Sequence, residues 1–199
     1  MEAKKIIITG GATRIGAAIA KSLINYDVKM VIHFNKSKSN ALKLKKELEE
    51  LGAETYLLKA DLNNFKQTNN LIKIAHKKMK GLDCLINNAS VFEQTSLLSA
   101  PLTQIQRNLN IHLTSPWLLI QGIVNQKIKQ GRPCQIINIS DANLSHRYTS
   151  KAAYFISKKA QETLTELAAI ECAPNVRINA IAPGFVLEAM DTSNTETSS

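Results

Sequence analysis

The stretch Thr9-Gly10-Gly11-Ala12-Thr13-Arg14-Ile15-Gly16 decides the fold of this chain. It follows the β-branched run Lys4–Ile8, which predicts a short buried strand. It leads into residues 15–24, whose apolar side chains recur at helical spacing. A glycine-rich turn between a strand and a helix brings backbone N–H groups close to a phosphate, and the helix dipole favours that anion. The stretch therefore predicts a phosphate-binding turn at the start of an α/β domain.

One position of this turn departs from the usual spacing of three glycines, G-x-x-x-G-x-G. Arg14 stands where the middle glycine would be, between Gly10 and Gly16. Its cation could face a pyrophosphate, or it could be a solvated residue at the helix start. The sequence leaves both interpretations open.

Strand-like apolar runs alternate with helical patterns along the rest of the chain. Further strands are predicted at 28–34, 55–60, 82–87, 135–140 and 176–182, and further helices at 39–51, 65–80, 102–130 and 151–172. In helix 39–51 we expect Leu42, Leu48 and Leu51 to face inward. This alternation is typical of crossover units in a parallel sheet with helices on both faces. We expect one doubly wound α/β domain over residues 1–190 and a disordered polar tail over 191–199.

Composition limits the function classes. The 199 residues suit one domain with a sizeable core, and no apolar run reaches the length of about 18 residues that a membrane span needs. Cys84, Cys134 and Cys172 are widely spaced in apolar settings, so we expect free thiols in a reducing cytoplasm. Most of the excess charge behind the net +9 lies on lysines of 36–46 and 66–80 without interleaved aromatic residues. This pattern favours solvated helix faces and an anionic small ligand over nucleic acid.

The second strand ends in a segment that bears on the choice of cofactor. In a parallel sheet the ligand lies at the carboxyl ends of the strands, where an acidic residue after the second strand selects NAD. Residues 33–37 read His-Phe-Asn-Lys-Ser and contain no carboxylate. Lys36 and Ser37 could bind a 2′-phosphate, or they could be an exposed lysine and a helix cap. We expect NADP(H) rather than NAD.

A second group of residues suggests proton chemistry. Tyr154 and Lys158 are four residues apart, which places them on one face of the predicted helix. A phenol with a pKa near 10 donates poorly at neutral pH, and a nearby ammonium group favours the phenolate. We therefore expect Lys158 to lower the pKa of Tyr154. Asp141 ends the fifth predicted strand and could face Tyr154 across the cleft.

Together these motifs resemble the short-chain dehydrogenase/reductase family, from about residue 4 to residue 187. The resemblance rests on the glycine turn, Asp61, Asn87-Asn88-Ala89, Tyr154 with Lys158, and Pro183-Gly184. It implies a Rossmann-type fold, a nicotinamide cofactor, Tyr154 as proton donor, and Lys158 as the residue that holds the nicotinamide ribose. The cofactor-binding residues are then Gly10, Thr13, Arg14, Ile15, Gly16, His33, Asn35, Lys36, Ser37, Asp61, Leu62, Asn88, Ala89, Ser90, Lys158, Pro183 and Gly184.

Finer features resemble the pteridine reductases within that family, including bacterial dihydromonapterin and dihydrofolate reductase relatives. They are Arg14, segments 33–37 and 87–92, and Asp141, where most of the wider family has serine. A serine hydroxyl can stabilise an oxyanion on a ketone, whereas a carboxylate repels it but can relay a proton with a tyrosine to a ring nitrogen. The resemblance implies that Phe92 stacks on a flat pterin. The substrate contacts it implies are Arg14, Ser90, Phe92 and Tyr154.

We therefore expect an NADPH-dependent reductase of a pterin such as dihydromonapterin, dihydrobiopterin or dihydrofolate. Two alternatives remain. One is a reductase of carbonyl substrates such as 3-oxoacyl thioesters, and the other is a catalytically idle NADP-binding protein. The second is suggested by the short chain after Pro183-Gly184, where we expect the family's last strand to be missing.

Two further expectations follow from the resemblance. His112 stands four residues before Pro116, where the wider family often has asparagine, so it could join a proton relay or simply pack in the helix. The helical regions 102–130 and 151–172 are the ones through which the family usually forms oligomers, and we expect a homodimer. No histidine or cysteine pattern has metal-ligand spacing, so we expect neither a metal nor a membrane or nucleic-acid partner.

Overall fold

The computed structural model describes residues 3–128, 133–145 and 149–186, with the backbone alone for 127 and 128. The expected tail at 191–199, the last residues of the domain at 187–190, and the end of the helical region at 129–130 lie outside the described residues.

The described residues form one parallel sheet. Its strands are β1 (Lys4–Ile8), β2 (Val28–Phe34), β3 (Glu54–Lys59), β4 (Cys84–Asn87), β5 (Cys134–Ile139) and β6 (Val176–Ile181). The spatial order is β3-β2-β1-β4-β5-β6, and every neighbouring pair is parallel. The strand order reverses between β1 and β4, so a crevice is expected at their carboxyl ends. The predicted Rossmann-type fold is confirmed.

Helices cover both faces of the sheet. They are α1 (Arg14–Ser22), α2 (Lys38–Glu50), α3 (Phe65–Met79), α4 (Leu102–Leu109), α5 (Ser115–Ile128) and α6 (Ala152–Cys172). The predicted helical region 102–130 is continuous over the described residues, but a π-helical turn, Asn110–Thr114, joins α4 to α5. No helix in the described part of the chain is long and apolar enough to cross a membrane.

Alternation along β1 divides the apolar core into two layers. Ile7 packs in the layer that contains residues of α3, α5 and α6. Ile6 and Ile8 point to the other face, where the layer contains residues of α1 and α2. Because side chains alternate along a strand, a run of consecutive isoleucines can fill both layers at once.

The inward face of α2 differs from the prediction. Leu48 is buried, but Leu42 is 51% exposed and Leu51 is 64% exposed. The face that packs on the sheet carries Ala41, Leu44 and Leu48, which follow the i, i+3, i+7 spacing. Leu42 lies off that stripe, and Leu51 continues its spacing but is the C-cap that follows the last residue of α2, so the prediction was wrong for both.

Candidate active site

Two glycines of the turn after β1 have no room for a side chain. Gly10 has a φ of +59°, and a Cβ there would lie 2.8 Å from Ala89 Cα. A Cβ on Gly16 would lie 2.4 Å from the carbonyl oxygen of Gly10 and 2.6 Å from Asn88 Nδ2. Arg14 has a φ of +51°, in the left-handed region that glycine normally occupies, and its side chain is exposed. Arginine thus keeps the backbone conformation of the glycine it replaces.

The turn is tied to the end of β4. Thr9 Oγ1 accepts hydrogen bonds from the N–H groups of Asn88 (3.0 Å) and Ala89 (3.1 Å). Asn88 Nδ2 in turn donates to the carbonyl oxygens of Thr9 (2.9 Å) and Gly10 (3.0 Å). These four bonds fix the two segments that border the crevice, so the turn is held in its conformation before any ligand arrives.

His33 supports the turn from beneath. Its side chain is 2% exposed, its Nδ1 accepts from the Gly10 N–H over 3.1 Å, and its Nε2 lies 3.1 Å from the Ala60 carbonyl oxygen. Burial lowers the pKa of His33 to about 4, so the ring is neutral and Nε2–H donates to Ala60. Both ring nitrogens are therefore engaged with backbone, and the ring positions the turn rather than facing the crevice.

The start of α1 can accept an anion. Thr13 occupies the N-cap position but makes no side-chain cap, and the first turn of the helix carries no acidic residue. The first N–H groups of a helix have no partner within the helix, so those of residues 14–16 can donate to a phosphate. The residues present thus fit the phosphate portion of a dinucleotide.

Lys36 and Ser37 lie between the carboxyl end of β2 and the start of α2. Lys36 is exposed, and Ser37 at the N-cap of α2 makes no side-chain cap bond. Asn35 beside them is partly exposed. After β3, Asp61 Oδ1 accepts from the Asn63 N–H over 3.0 Å and shapes the loop. The side chains of Lys36 and Ser37 are therefore not committed to capping α2.

Tyr154 and Asp141 are in direct contact. The Tyr154 hydroxyl donates to Asp141 Oδ2 over 2.7 Å. Asp141 follows β5, is partly exposed, and accepts the Asn143 N–H at its other oxygen over 2.7 Å. Tyr154 lies in the first turn of α6, so a strand end and a helix start bring together two residues that are thirteen positions apart.

The expectation that Lys158 lowers the pKa of Tyr154 is wrong. Burial, and then the hydrogen bond and charge of Asp141, raise the pKa of Tyr154 well above its ordinary value. The Lys158 ammonium group donates instead to the Ile139 carbonyl oxygen (2.6 Å) and to Gln161 Oε1 (3.3 Å). Burial lowers the pKa of Lys158 to about 8, against the charges of Asp141 and Glu162. Spacing places Tyr154 and Lys158 on one face of α6, but the charge that is hydrogen-bonded to the Tyr154 hydroxyl is the Asp141 carboxylate.

His112 lies beneath the Tyr154 ring, with the two ring centroids 5.4 Å apart and nearly perpendicular. Its side chain is fully buried, and its Nε2 lies 2.9 Å from Ser90 Oγ and 3.2 Å from the Val91 nitrogen. On the other side, Nδ1 lies 2.8 Å from Ser157 Oγ. Burial, and secondarily the charge of Lys158, lower the pKa of His112 well below its ordinary value.

Phe92 lies at the mouth of the site. Its ring is 62% exposed and meets the Tyr154 ring edge-to-face, with centroids 4.7 Å apart. Lys151 Nζ lies 3.9 Å from the centre of the Phe92 ring and 3.4 Å from the Phe92 carbonyl oxygen. An exposed aromatic ring in contact with the ring of Tyr154 can stack on a flat substrate.

Two supporting contacts were not predicted. Buried Thr95 accepts the Ala153 N–H at its Oγ1 over 3.2 Å, so it caps the start of α6 from a loop nearly 60 residues earlier. The Pro183 carbonyl oxygen accepts the Ala142 N–H over 3.0 Å, which ties the segment after β6 to the residue following Asp141. The only local signal for Thr95 was its residue type, since serine and threonine favour helix caps.

The structure thus brings the predicted residues together in two groups along the crevice. The first contains the glycine turn, with Asn88 and Ala89 bonded to it. The second contains Asp141, Tyr154, Phe92 and Ser90, with Ser90 joined to it through His112. The side chain of Leu62 is buried, so only its backbone could face the crevice. Gly184 is exposed, and no atom lies within 4 Å of a Cβ added there.

The fold and the site define a Rossmann-type α/β protein with a tyrosine and a lysine at the carboxyl edge of its sheet. The sequence profile of the family described as short chain dehydrogenase matches residues 4–199. The chain belongs to this family of oxidoreductases.

Individual relatives differ in the substrates their names state. The 3-oxoacyl-[acyl-carrier-protein] reductase of Synechocystis sp. is 29% identical over 191 residues, which are 96% of this chain and 77% of that protein. The FolM alternative dihydrofolate reductase 1 of Brucella canis, solved in complex with NADP, superimposes with a TM-score of 0.85 at 28% identity. That comparison covers 92% of this chain and 74% of the other. The acetoin dehydrogenase YohF of Salmonella typhimurium superimposes with a TM-score of 0.87 at 25% identity, over 98% of this chain and 78% of the other.

Proposed function

We propose that this protein is an NADPH-dependent reductase of a pterin, of the dihydromonapterin, dihydrobiopterin or dihydrofolate type, with its reductase domain over residues 1–190. The observation that carries the proposal is the 2.7 Å hydrogen bond from the Tyr154 hydroxyl to Asp141 Oδ2. A tyrosine paired with a carboxylate is suited to protonate a ring nitrogen, because a nitrogen that is protonated before hydride transfer becomes neutral and carries no negative charge for the carboxylate to repel.

The proposed cofactor site runs along the crevice from the glycine turn to Lys158. Residues 13–16 would bind the pyrophosphate through the uncapped start of α1, with the Arg14 cation beside it. Lys36 and Ser37 would bind the 2′-phosphate that distinguishes NADP from NAD. The two Brucella alternative dihydrofolate reductases, which were solved with NADP, support this choice. When bound, the cofactor supplies a hydride to a carbon of the substrate.

Lys158 would hold the nicotinamide ribose. An ammonium group has three donors, and two of them are engaged by Ile139 and Gln161. The third remains for a ribose hydroxyl. Because burial fixes the Lys158 stem, this donor is positioned before the cofactor binds.

The proton would come from Tyr154. The raised pKa of Tyr154 keeps its hydroxyl protonated at neutral pH, so it enters the reaction as a proton donor. Partly exposed Asp141 can take up a proton from solvent and return it to the tyrosine oxygen as the tyrosine gives up its own. One proton thus reaches the substrate nitrogen, and the tyrosine is restored in the same step.

Phe92 would bind the flat face of the pterin. Its exposed ring and its edge-to-face contact with Tyr154 would bring a stacked substrate beside the donating hydroxyl. Ser90 and Arg14, both exposed, would contact the polar edge of the ring.

A carbonyl reductase is the second candidate, because a 3-oxoacyl-[acyl-carrier-protein] reductase is among the similar proteins. The charge of Asp141 argues against it, since a carboxylate on the tyrosine hydroxyl disfavours an oxyanion. A protein that binds NADPH without turnover is the remaining alternative.

One assay separates these candidates. NADPH oxidation by the purified protein is measured with dihydrobiopterin and with a 3-oxoacyl thioester, in wild type and in Tyr154→Phe. The proposal expects turnover of the pterin that the variant loses by a factor of about 100 or more, with NADPH binding retained in a fluorescence titration. Turnover of the thioester alone supports the carbonyl reductase, and NADPH binding without turnover of either supports the idle protein.

The proposed assembly is a homodimer formed through α4, α5 and α6. Large apolar side chains lie mostly exposed on these helices, namely Leu102, Trp117, Ile156, Leu167 and Ile170. Several large apolar side chains exposed on neighbouring helices favour a protein interface there. Sedimentation equilibrium of wild type and Ile170→Lys tests the assignment, with the variant expected to dissociate.

A further inference from the structure

We propose that His112 is a positioning residue that fixes the substrate-binding segment Ser90-Val91-Phe92 against α6, through a neutral ring that carries its proton on Nδ1. The inference rests on the proposed function, because it takes Phe92 to be the residue that stacks on the pterin. It assigns His112 no part in proton transfer.

The proton positions follow from the partners of the ring. A backbone N–H can only donate, so the Val91 N–H at 3.2 Å requires an unprotonated Nε2. The Ser90 hydroxyl, 2.9 Å from the same nitrogen, then also donates to it. A neutral ring with a free Nε2 carries its proton on Nδ1, which donates to Ser157 Oγ over 2.8 Å. The Ser157 hydroxyl can accept this bond because its own hydrogen is donated to the Tyr154 carbonyl oxygen over 2.8 Å.

These bonds connect two parts of the site that no local sequence signal joins. The nitrogen Nε2 holds the loop after β4, and Nδ1 holds α6 one residue before Lys158. The ring is fully buried and both nitrogens are engaged. A relay residue must gain and lose a proton, but protonation of Nε2 would break the bond from Val91 in a site that disfavours charge. The geometry therefore serves positioning.

Two substitutions of His112 distinguish the roles of the two ring nitrogens. In His112→Asn the amide reaches about as far as Nδ1, so the contact with Ser157 can persist while Val91 loses its acceptor. In His112→Gln the longer amide reaches the position of Nε2 and can accept from Val91. We expect the KM for dihydropterin to rise about tenfold in His112→Asn, because the partly buried Val91 N–H is left without its acceptor. His112→Gln should recover most of that loss.

Other kinetic constants should be nearly unchanged. NADPH affinity and kcat should stay within about threefold of wild type in both variants, since neither Asp141 nor the Tyr154 hydroxyl contacts the ring. The control is His76→Asn on α3, whose carboxyl end lies at the opposite edge of the sheet. A fall in kcat in both variants, with an unchanged KM and an altered solvent isotope effect, would show a relay and overturn the proposal.

A second measurement on the wild-type protein does not depend on any activity. Nuclear magnetic resonance should detect a scalar coupling across the hydrogen bond from the Val91 amide to His112 Nε2, and a proton on Nδ1. The ring should stay neutral at and below pH 6.5, because burial lowers the pKa of His112 well below that value and Lys158, the charged group that faces it, lowers it further; Tyr154 is the other titratable group that faces the ring. A proton on Nε2, or titration near pH 6.5, would refute the inference. If the protein reduced no pterin, the proposed function would fail while this result still decided the role of His112.

Discussion

Replacing Asp141 with serine tests the proposed chemistry through substrate preference. The Tyr154 hydroxyl lies 2.7 Å from the carboxylate, so a substrate oxygen bound to the same hydroxyl would lie about 5 Å from it. At an effective dielectric constant of about 20, two unit charges at that separation repel by ~3 kcal/mol. Asp141 is partly exposed, and solvent screening reduces the effect to ~1–2 kcal/mol. The carboxylate should therefore slow a reaction that forms an oxyanion about tenfold.

The same substitution should have the opposite effect on a pterin. It removes a charge-assisted hydrogen bond worth ~1.5–3 kcal/mol, and with it the group that restores the tyrosine proton. We expect kcat/KM for dihydrobiopterin to fall about 10- to 100-fold in Asp141→Ser. The ratio of ketone to pterin activity should thus shift by about two to three orders of magnitude.

The assay measures NADPH oxidation with saturating cofactor, using dihydrobiopterin and a 3-oxoacyl thioester as competing classes of substrate. Asp27→Ser is the matched control, because Asp27 is exposed just before β2, at the opposite edge of the sheet. Thermal unfolding of each variant shows whether the fold is kept. If both activities rise or fall together in Asp141→Ser, Asp141 does not discriminate between substrates and the reasoning fails.

Three further predictions concern the cofactor site and the buried lysine. Gly16→Ala should destabilise the cofactor-free protein by ~1–3 kcal/mol, because the added Cβ would lie 2.4 Å from a backbone oxygen. The control is Gly184→Ala, which should leave the melting temperature unchanged because no atom lies within 4 Å of its added Cβ. Lys36→Glu should weaken NADPH binding about 10- to 100-fold without weakening NADH binding, and the exposed Lys43→Glu should do neither; equal losses for the two cofactors would remove the 2′-phosphate from the proposal. The pKa of Lys158 is lowered from 10.5 to about 8 in the folded protein. Between pH 8 and pH 10.5 the unfolded chain therefore binds a proton that the folded protein has lost. The free energy of unfolding of the wild type should rise over this range by up to ~1.4 kcal/mol per pH unit. Lys158→Met should lack that gain in denaturant titrations at pH 7 and pH 9.5, and equal slopes for the two proteins would contradict the burial argument.

Much of the fold was predictable because the sheet is buried on both faces. Continuous apolar runs such as residues 6–8 of β1 then identify strands, and glycines at positions such as Gly10 and Gly16 are required by close contacts. The meeting of Asp141 and Tyr154 was also predictable, because the end of a strand and the start of the following crossover helix share one edge of the sheet.

Other features of the site and the fold could not be predicted, because residue spacing shows neither burial nor tertiary contacts. The pKa of Tyr154 is set first by burial, which a four-residue interval to Lys158 cannot show. The part played by Thr95 requires the path of the loop after β4, and the outward position of Leu42 depends on which stripe of α2 packs on the sheet. Each of these is a tertiary effect that overrides a local pattern.

Asp141 and His112 both contact Tyr154, one at its hydroxyl and the other at its ring, and their effects on its pKa agree. Asp141 raises the pKa of Tyr154 through its hydrogen bond and charge. A protonated histidine with its ring centroid 5.4 Å away would stabilise the phenolate and oppose that effect, but burial keeps His112 neutral. The tyrosine is therefore held as a neutral donor at physiological pH, and the pH dependence of turnover should not follow ionisation of the phenol. A rate that rose with an apparent pKa near 7, and lost this rise in Tyr154→Phe, would show that the phenolate is the active form and would exclude the proposed direction of proton transfer.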